Sequence, residues 1–245
     1  MNQRDYKKYE ENYVVAPFEP ILVEYRREIV IENLLKYSHN NILEIGCGNE
    51  PLFKYFSDYS SMTIIEPGKS FYQNACNLKN NSNVKIYNDL FENIADNLKI
   101  NNFDFIIISA LLHEIPDLIE FLKRIHDISN LKTTVHINVP NAKSFHRILA
   151  FEMGLIDSIF EFSPTNIMMQ HYRVFDLKSL TEVLVDQRFK ILDTGSYFIK
   201  PFTNGQMDQL IKNGIIDQKI LDGLFTLTRH FPDSGSEIFV NCTIC

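Results

Sequence analysis

From Asn41 to the carboxyl end, short runs of β-branched and aromatic residues alternate with stretches whose apolar positions recur at helical spacing. The runs predict strands at 41–45, 62–66, 84–87, 103–109, 133–138, 189–197 and 236–242. Between them the pattern predicts helices at 50–57, 68–78, 117–128, 144–151 and 176–187, the last opened by Asp176 as N-cap. Strand followed by helix, repeated, is the signature of a mostly parallel sheet with crossover helices. Ahead of the first strand, Phe18 to Tyr37 spaces Ile21, Leu22, Tyr25, Ile29, Leu34 and Leu35 as a helix does, so residues 1–40 read as a helical cap over the sheet edge or the mouth of a site. Two regions break the alternation. The stretch 151–175 mixes Gly154, Pro164, methionines and aromatics without a clean period, and 200–230 holds helical patches at Gln206–Lys212 and Asp217–Thr228. Both predict insertions or lids near the site.

Composition narrows this to one α/β domain spanning 1–245, since 245 residues at 45% hydrophobic content suffice for one sizeable core and are few for two. The longest apolar stretch, Phe103 to Leu112, is broken by Asp104 and Ser109 and is shorter than the roughly 20 residues a membrane helix needs. The amino terminus is polar and of mixed charge, unlike a secretory signal, so a cytoplasmic location away from membranes is the expectation. A net charge of −7 with no basic run opposes a nucleic-acid backbone and favours a small-molecule partner, the chain being a monomer or homodimer. Cys47, Cys76, Cys242 and Cys245 suggest no disulfide framework, and Cys242-Thr-Ile-Cys245 lacks a second pair or neighbouring histidines, so no metal ion is expected.

The candidate chemistry starts at Ile42-Leu-Glu-Ile-Gly-Cys-Gly-Asn-Glu-Pro51, an apolar strand running into two glycines one residue apart. Gly46 and Gly48 allow a sharp turn and a close backbone approach to a ligand around Cys47. Pro51 stands where a dinucleotide fingerprint has its third glycine, and Glu44 would repel a pyrophosphate yet attract a sulfonium or ammonium.

This run resembles the first signature of Rossmann-fold S-adenosylmethionine-dependent methyltransferases. The resemblance implies a seven-stranded Rossmann-like sheet, mostly parallel with the last strand antiparallel and helices on both faces, with S-adenosylmethionine as cofactor. It implies that Glu66, closing the second strand, accepts the ribose hydroxyls with Pro67 near the adenine. Asp89 would read the adenine amino group, with Leu90 or Phe91 supplying a backbone amide. Arg26, in the leading helix, would pair the methionine carboxylate, and Tyr13 would close over the site. Ser109 and Ala110, after the fourth strand, would line the gap between donor and acceptor, where the Asn/Asp-Pro-Pro-Tyr/Phe quartet of adenine and glutamine methylation is absent. His113 holds the chain position of a general base, with Glu114 beside it on the substrate side.

Further on, Pro140-Asn-Ala, Ser144-Phe-His-Arg147 and His171-Tyr-Arg-Val-Phe-Asp176 resemble a bacterial subgroup, which suggests sugar, lipid-linked or capsule-precursor acceptors. Asn141, His146, Arg147, His171, Tyr172, Arg173 and Lys200 then read as acceptor contacts, a set of donors able to clamp phosphate or carboxylate. The expectation is O-methylation of a small polar acceptor; N-methylation of a small amine and cofactor binding without catalysis stand beside it.

Overall fold

The computed structural model describes residues 4–14 and 16–245. The strands are β1 (Asn41–Ile45), β2 (Ser61–Ile65), β3 (Val84–Tyr87), β4 (Phe105–Ser109), β5 (Thr134–Pro140), β6 (Phe189–Tyr197) and β7 (Glu237–Ile244). They form one sheet in the order β3-β2-β1-β4-β5-β7-β6, with β7 antiparallel to both neighbours and the rest parallel. The continuous apolar run of β4, Phe105-Ile-Ile-Ile, is buried on both faces, as a central parallel strand covered by helices requires.

Helices α1 (Tyr6–Val14), α2 (Glu19–Leu34), α3 (Lys69–Leu78), α4 (Phe91–Leu98) and α5 (Leu118–Ile128) precede α6 (Phe145–Glu152), α7 (Pro164–Met168), α8 (Leu177–Asp186), α9 (Asn204–Lys212) and α10 (Gln218–Thr226). α4, α5 and α8 pack on one core, where Phe91, Phe121 and Leu184 meet β1, β4 and β5. α2 and α3 close another around Ile42, Met62 and Phe105. A third core, around Tyr25, Phe198, Met207 and Leu221, joins α2 to α9 and α10.

Three expectations change. The predicted helix at 50–57 is only a short 3₁₀ turn, Leu52–Lys54, because Pro51 is extended and the Leu52 amide donates to the Glu44 carboxylate at 3.1 Å. α4 is an additional helix whose pattern was readable, since Phe91, Ala95 and Leu98 bury one face at helical spacing. α1 falls within the helical cap expected over 1–40, and the strap of residues 4–14 that contains it lies against the site. The irregular stretch 151–175 contains α7, opened by a reciprocal capping box between Ser163 and Asn166.

Candidate functional site

The carboxyl ends of the parallel strands border a cavity of about 450 Å³. Ligands of open α/β sheets bind along this edge. At the tip of β1, Gly46 (φ +77°) and Gly48 (φ +54°) adopt left-handed backbone conformations, in which a side chain would be strained. The Gly46 amide donates to the Ile65 carbonyl at 2.8 Å, and the turn brings the Gly48 amide to the neighbouring acid: Glu66 accepts from the Gly48 amide at 2.9 Å and the Gly68 amide at 2.7 Å, one bond per carboxylate oxygen. Burial lifts Glu66 to about 7, against those two hydrogen bonds, and lifts Glu44 to about 8. Burial likewise holds the Cys47 thiol well above its ordinary value, followed by the fields of Glu66 and Glu44. The floor of this part of the cavity is therefore two buried carboxyls beside a glycine turn, a place that a cation would stabilise.

At the tip of β4, Ala110 sits at φ +50°. Its amide donates to both the backbone and side-chain oxygens of Asn138 on β5, at 3.0 and 2.9 Å, while Ser109 Oγ donates to the same amide oxygen at 3.2 Å. Asn138 is held by a buried chain through His136 and Asn241 to Asn33 of α2. Burial pushes His136 down to about 4, so the ring is neutral and donates to Asn241 from Nδ1. None of these supporting residues stood out in the sequence, because they meet only when β5, β7 and α2 assemble.

Beyond Ala110, His113, Glu114 and His171 converge. Glu114 Oε1 lies 3.8 Å from His113 Nε2 and 3.6 Å from His171 Nε2, and Oε2 pairs with Arg4 at 2.7 Å. His113 Nδ1 is buried without a hydrogen-bond partner. The three ligand atoms lie within 4.8 Å of one another, a spacing able to hold a metal ion. The hydrogen bonding describes another arrangement. Asn166 Oδ1 accepts from the Ser163 amide, so its Nδ2 donates to His171 Nδ1 and leaves the ring hydrogen on Nε2, facing Glu114. Metal-bound histidines donate outward from their remote nitrogen, the reverse of this pattern, and Arg4 already neutralises the carboxylate. Burial drives His113 well below its ordinary value, helped by His171, Arg26 and Arg4, while Glu114 is lifted to about 7 by burial against the pull of Arg4.

Residues 4–14 strap this cavity. Tyr9 and Tyr13 pack on Phe71, with Tyr13 edge-on at 5.5 Å, and Glu10 accepts from the Ser70 amide at the start of α3. On the other side the Asp5 backbone exchanges two 2.9 Å hydrogen bonds with the Gln170 amide, and Asn12 donates to Met168 O. Tyr13 therefore lies over the glycine turn, while Arg4, Tyr6 and Tyr9 are cavity residues that the sequence reading missed. Arg4 precedes the short, polar helix that carries the two tyrosines, and neither offers a periodic signal.

Other expected residues fall elsewhere. Arg26 lines the cavity but is not free for a carboxylate: it is clamped by Glu237, with one bond at 2.8 Å, and pairs with Glu19 at 3.1 Å. Asp89 caps its own turn, accepting from the Leu90 amide and Asn93, and Phe91 is core; Asp89, Leu90 and Phe91 are not among the cavity-lining residues. Arg173 braces the carbonyls of Ile115 and Pro116 and, with the 38% exposed Tyr172, is also absent from that lining. Asn141, His146, Arg147, His171 and Lys200 do border the cavity, as do Pro67, Ser109 and Ala110.

Residues 22–194 match a family described as methyltransferase domain. None of the curated proteins compared matches the chain. Among solved structures, a SAM-dependent methyltransferase from Archaeoglobus fulgidus is 15% identical, covering 88% of this chain and 93% of its own, with a TM-score of 0.53. A SAM-dependent methyltransferase from Thermotoga maritima, described as a possible histamine N-methyltransferase, is 15% identical over 93% of this chain and 98% of its own, with a TM-score of 0.57. The plantazolicin methyltransferase BpumL, solved with SAH, is 18% identical over 99% of this chain and 91% of its own, with a TM-score of 0.58.

Proposed function

The chain belongs to the methyltransferase-domain family, and from that premise we propose that it is an S-adenosylmethionine-dependent O-methyltransferase of a small polar acceptor, with sugars, sugar nucleotides and phosphate-bearing precursors as the favoured class. The observation that most supports the cofactor half of this reading is the pairing of Glu66 with the Gly48 and Gly68 amides at 2.9 and 2.7 Å, and the acceptor half rests on His113 and the polar residues bordering the cavity. Two backbone donors fix the carboxylate, and its remaining lone pairs suit two vicinal hydroxyls. Glu44, buried behind the glycine turn, suits the positive end of the same ligand. S-adenosylmethionine supplies a methyl group on a cationic sulfur, ready for direct displacement.

What the protein must add is alignment and, for a hydroxyl acceptor, somewhere for the proton to go. His113 stays neutral, and its partnerless Nδ1 is available to accept. The Glu114 carboxylate faces His113 Nε2 and steadies the ring as it gains charge, the same logic by which a carboxylate supports a histidine base elsewhere. His171, fixed by Asn166, faces Glu114 from the other side at 3.6 Å. The strap excludes water and brings Arg4 against Glu114.

The test is an acceptor screen with methyl-labelled S-adenosylmethionine across sugar nucleotides, phosphorylated sugars and small amines. Label on a hydroxyl of the first two groups supports the reading. Label confined to amines would replace it with N-methylation.

A further inference from the structure

Going round the cavity, one wall is electrostatically unfinished. It is built where β5 ends, α6 begins, β7 begins and β6 runs into α9. Lys200 is buried there, yet its ammonium, which has three hydrogens to donate, finds one partner, the Asn204 side chain. The nearby acids are committed elsewhere, since Glu237 and Glu19 are both bound to Arg26. Arg147, half-buried, bonds to the carbonyls of Ile159 and Glu161 and makes no ion pair among the described residues, with the Glu161 carboxylate acting on it only through its field. His146 Nδ1 and Ser236 Oγ are both buried without partners. All four residues line the cavity.

We infer that Lys200, Arg147, His146 and Ser236 form a subsite for an anionic group, phosphate or carboxylate, carried by the methyl acceptor. This deepens the methyltransferase reading and rests on it. A buried ammonium with one hydrogen-bond partner, beside a half-buried guanidinium bonded to carbonyls, an unused hydroxyl and an unused imidazole, is a costly arrangement, and an anion completes it. Burial holds the Lys200 ammonium down to about 8 against the fields of Glu19 and Glu237, with Arg147 adding to the drop, and burial, Lys200 and Arg147 together oppose protonation of His146.

Sheet order assigns the anion to the acceptor. Glu66 and the glycine turn sit at the tips of β2 and β1, His113 follows β4, and Lys200 and Ser236 lie at β6 and β7 on the far side of β5. From β1 to β7 is three strand steps of about 4.8 Å, roughly 14 Å along the edge. A ligand whose nucleoside begins over Glu66 and whose reacting end reaches β4 leaves the β7 and β6 end to its partner.

The experiment uses the full chain saturated with S-adenosylhomocysteine and titrates inorganic phosphate, and separately acetate, by calorimetry. Lys200→Met and Ser236→Ala are the variants. Lys200→Met removes a buried charge held by one hydrogen bond and is expected to fold, which melting checks; Ser236→Ala is the milder probe. The expected result is saturable binding of one anion by wild type, weakened at least about tenfold in Lys200→Met and measurably in Ser236→Ala, with the S-adenosylhomocysteine Kd within about twofold of wild type. Preference for phosphate identifies a phosphorylated acceptor; preference for acetate identifies a carboxylate. No saturable anion binding by wild type overturns the subsite. A tenfold loss of S-adenosylhomocysteine affinity in Lys200→Met also overturns it, because the ammonium then serves the cofactor's carboxylate. Failure of wild type to bind S-adenosylhomocysteine would instead refute the cofactor reading, a separate outcome.

Discussion

Replacing Glu44 by Gln isolates what the cofactor site costs the fold. Glu44 is buried, and its side chain has one hydrogen bond, from the Leu52 amide at 3.1 Å, which a Gln carbonyl can also accept. Burial raises the carboxyl from an ordinary 4.5 to about 8, against that hydrogen bond and with a further push from Glu66. In the unfolded chain it ionises freely above 4.5, while the folded protein keeps it protonated until about 8. Between those values the unfolded state binds fewer protons, so stability falls as pH rises and levels off above the folded value. Linkage puts the penalty under about 1 kcal/mol at pH 5 and about 4 kcal/mol at pH 8. Glu44→Gln removes it, so urea unfolding of the two proteins should nearly coincide at pH 5 and diverge at pH 8 with the variant more stable. A stability difference independent of pH, or a variant less stable at pH 8, refutes the claim that an uncompensated acid lies under the glycine turn.

Other substitutions follow from the same geometry. His113→Ala should lower kcat by about 10²- to 10⁴-fold on a hydroxyl acceptor, with S-adenosylhomocysteine affinity unchanged in calorimetry. Glu114→Gln should flatten the rise of kcat through pH 7, since a carboxyl lifted to about 7 supports the imidazolium only once ionised. Arg4→Ala leaves Glu114 buried without its cation, so residues 4–14 should exchange amide hydrogens faster and be cut more readily by protease, with the rest of the chain protected. Gly235→Ala places a Cβ 2.6 Å from the Tyr197 backbone nitrogen and should cost about 1–3 kcal/mol in urea unfolding.

What could be read from the sequence was local or periodic. The glycine turn, the acid closing β2, the all-apolar β4 and the α/β alternation depend on residues near one another in the chain, and their physics acts at that range. The 50–57 helix was misread because apolar spacing alone cannot report that the Leu52 amide is taken by Glu44 and that Pro51 is extended. Arg26 illustrates the larger limit. Its position marked it for a carboxylate, and it meets one, but from Glu237, 211 residues away. That partner occupies Arg26 while Lys200 makes no ion pair among the described residues, an outcome visible only once β7 lies beside β5 and β6. The same holds for Arg4 and Glu114, joined across the strap.

In the proposed function, Glu66 and the Gly46–Gly48 turn hold the nucleoside end of S-adenosylmethionine. Calorimetric titration of S-adenosylhomocysteine into wild type and Glu66→Ala tests it most directly. Wild type should show one saturable site and, from the loss of hydrogen bonds to a charged acceptor, the variant should bind about 10- to 150-fold more weakly. Equal binding by the two proteins, or tighter binding of a nicotinamide dinucleotide by wild type, would contradict it.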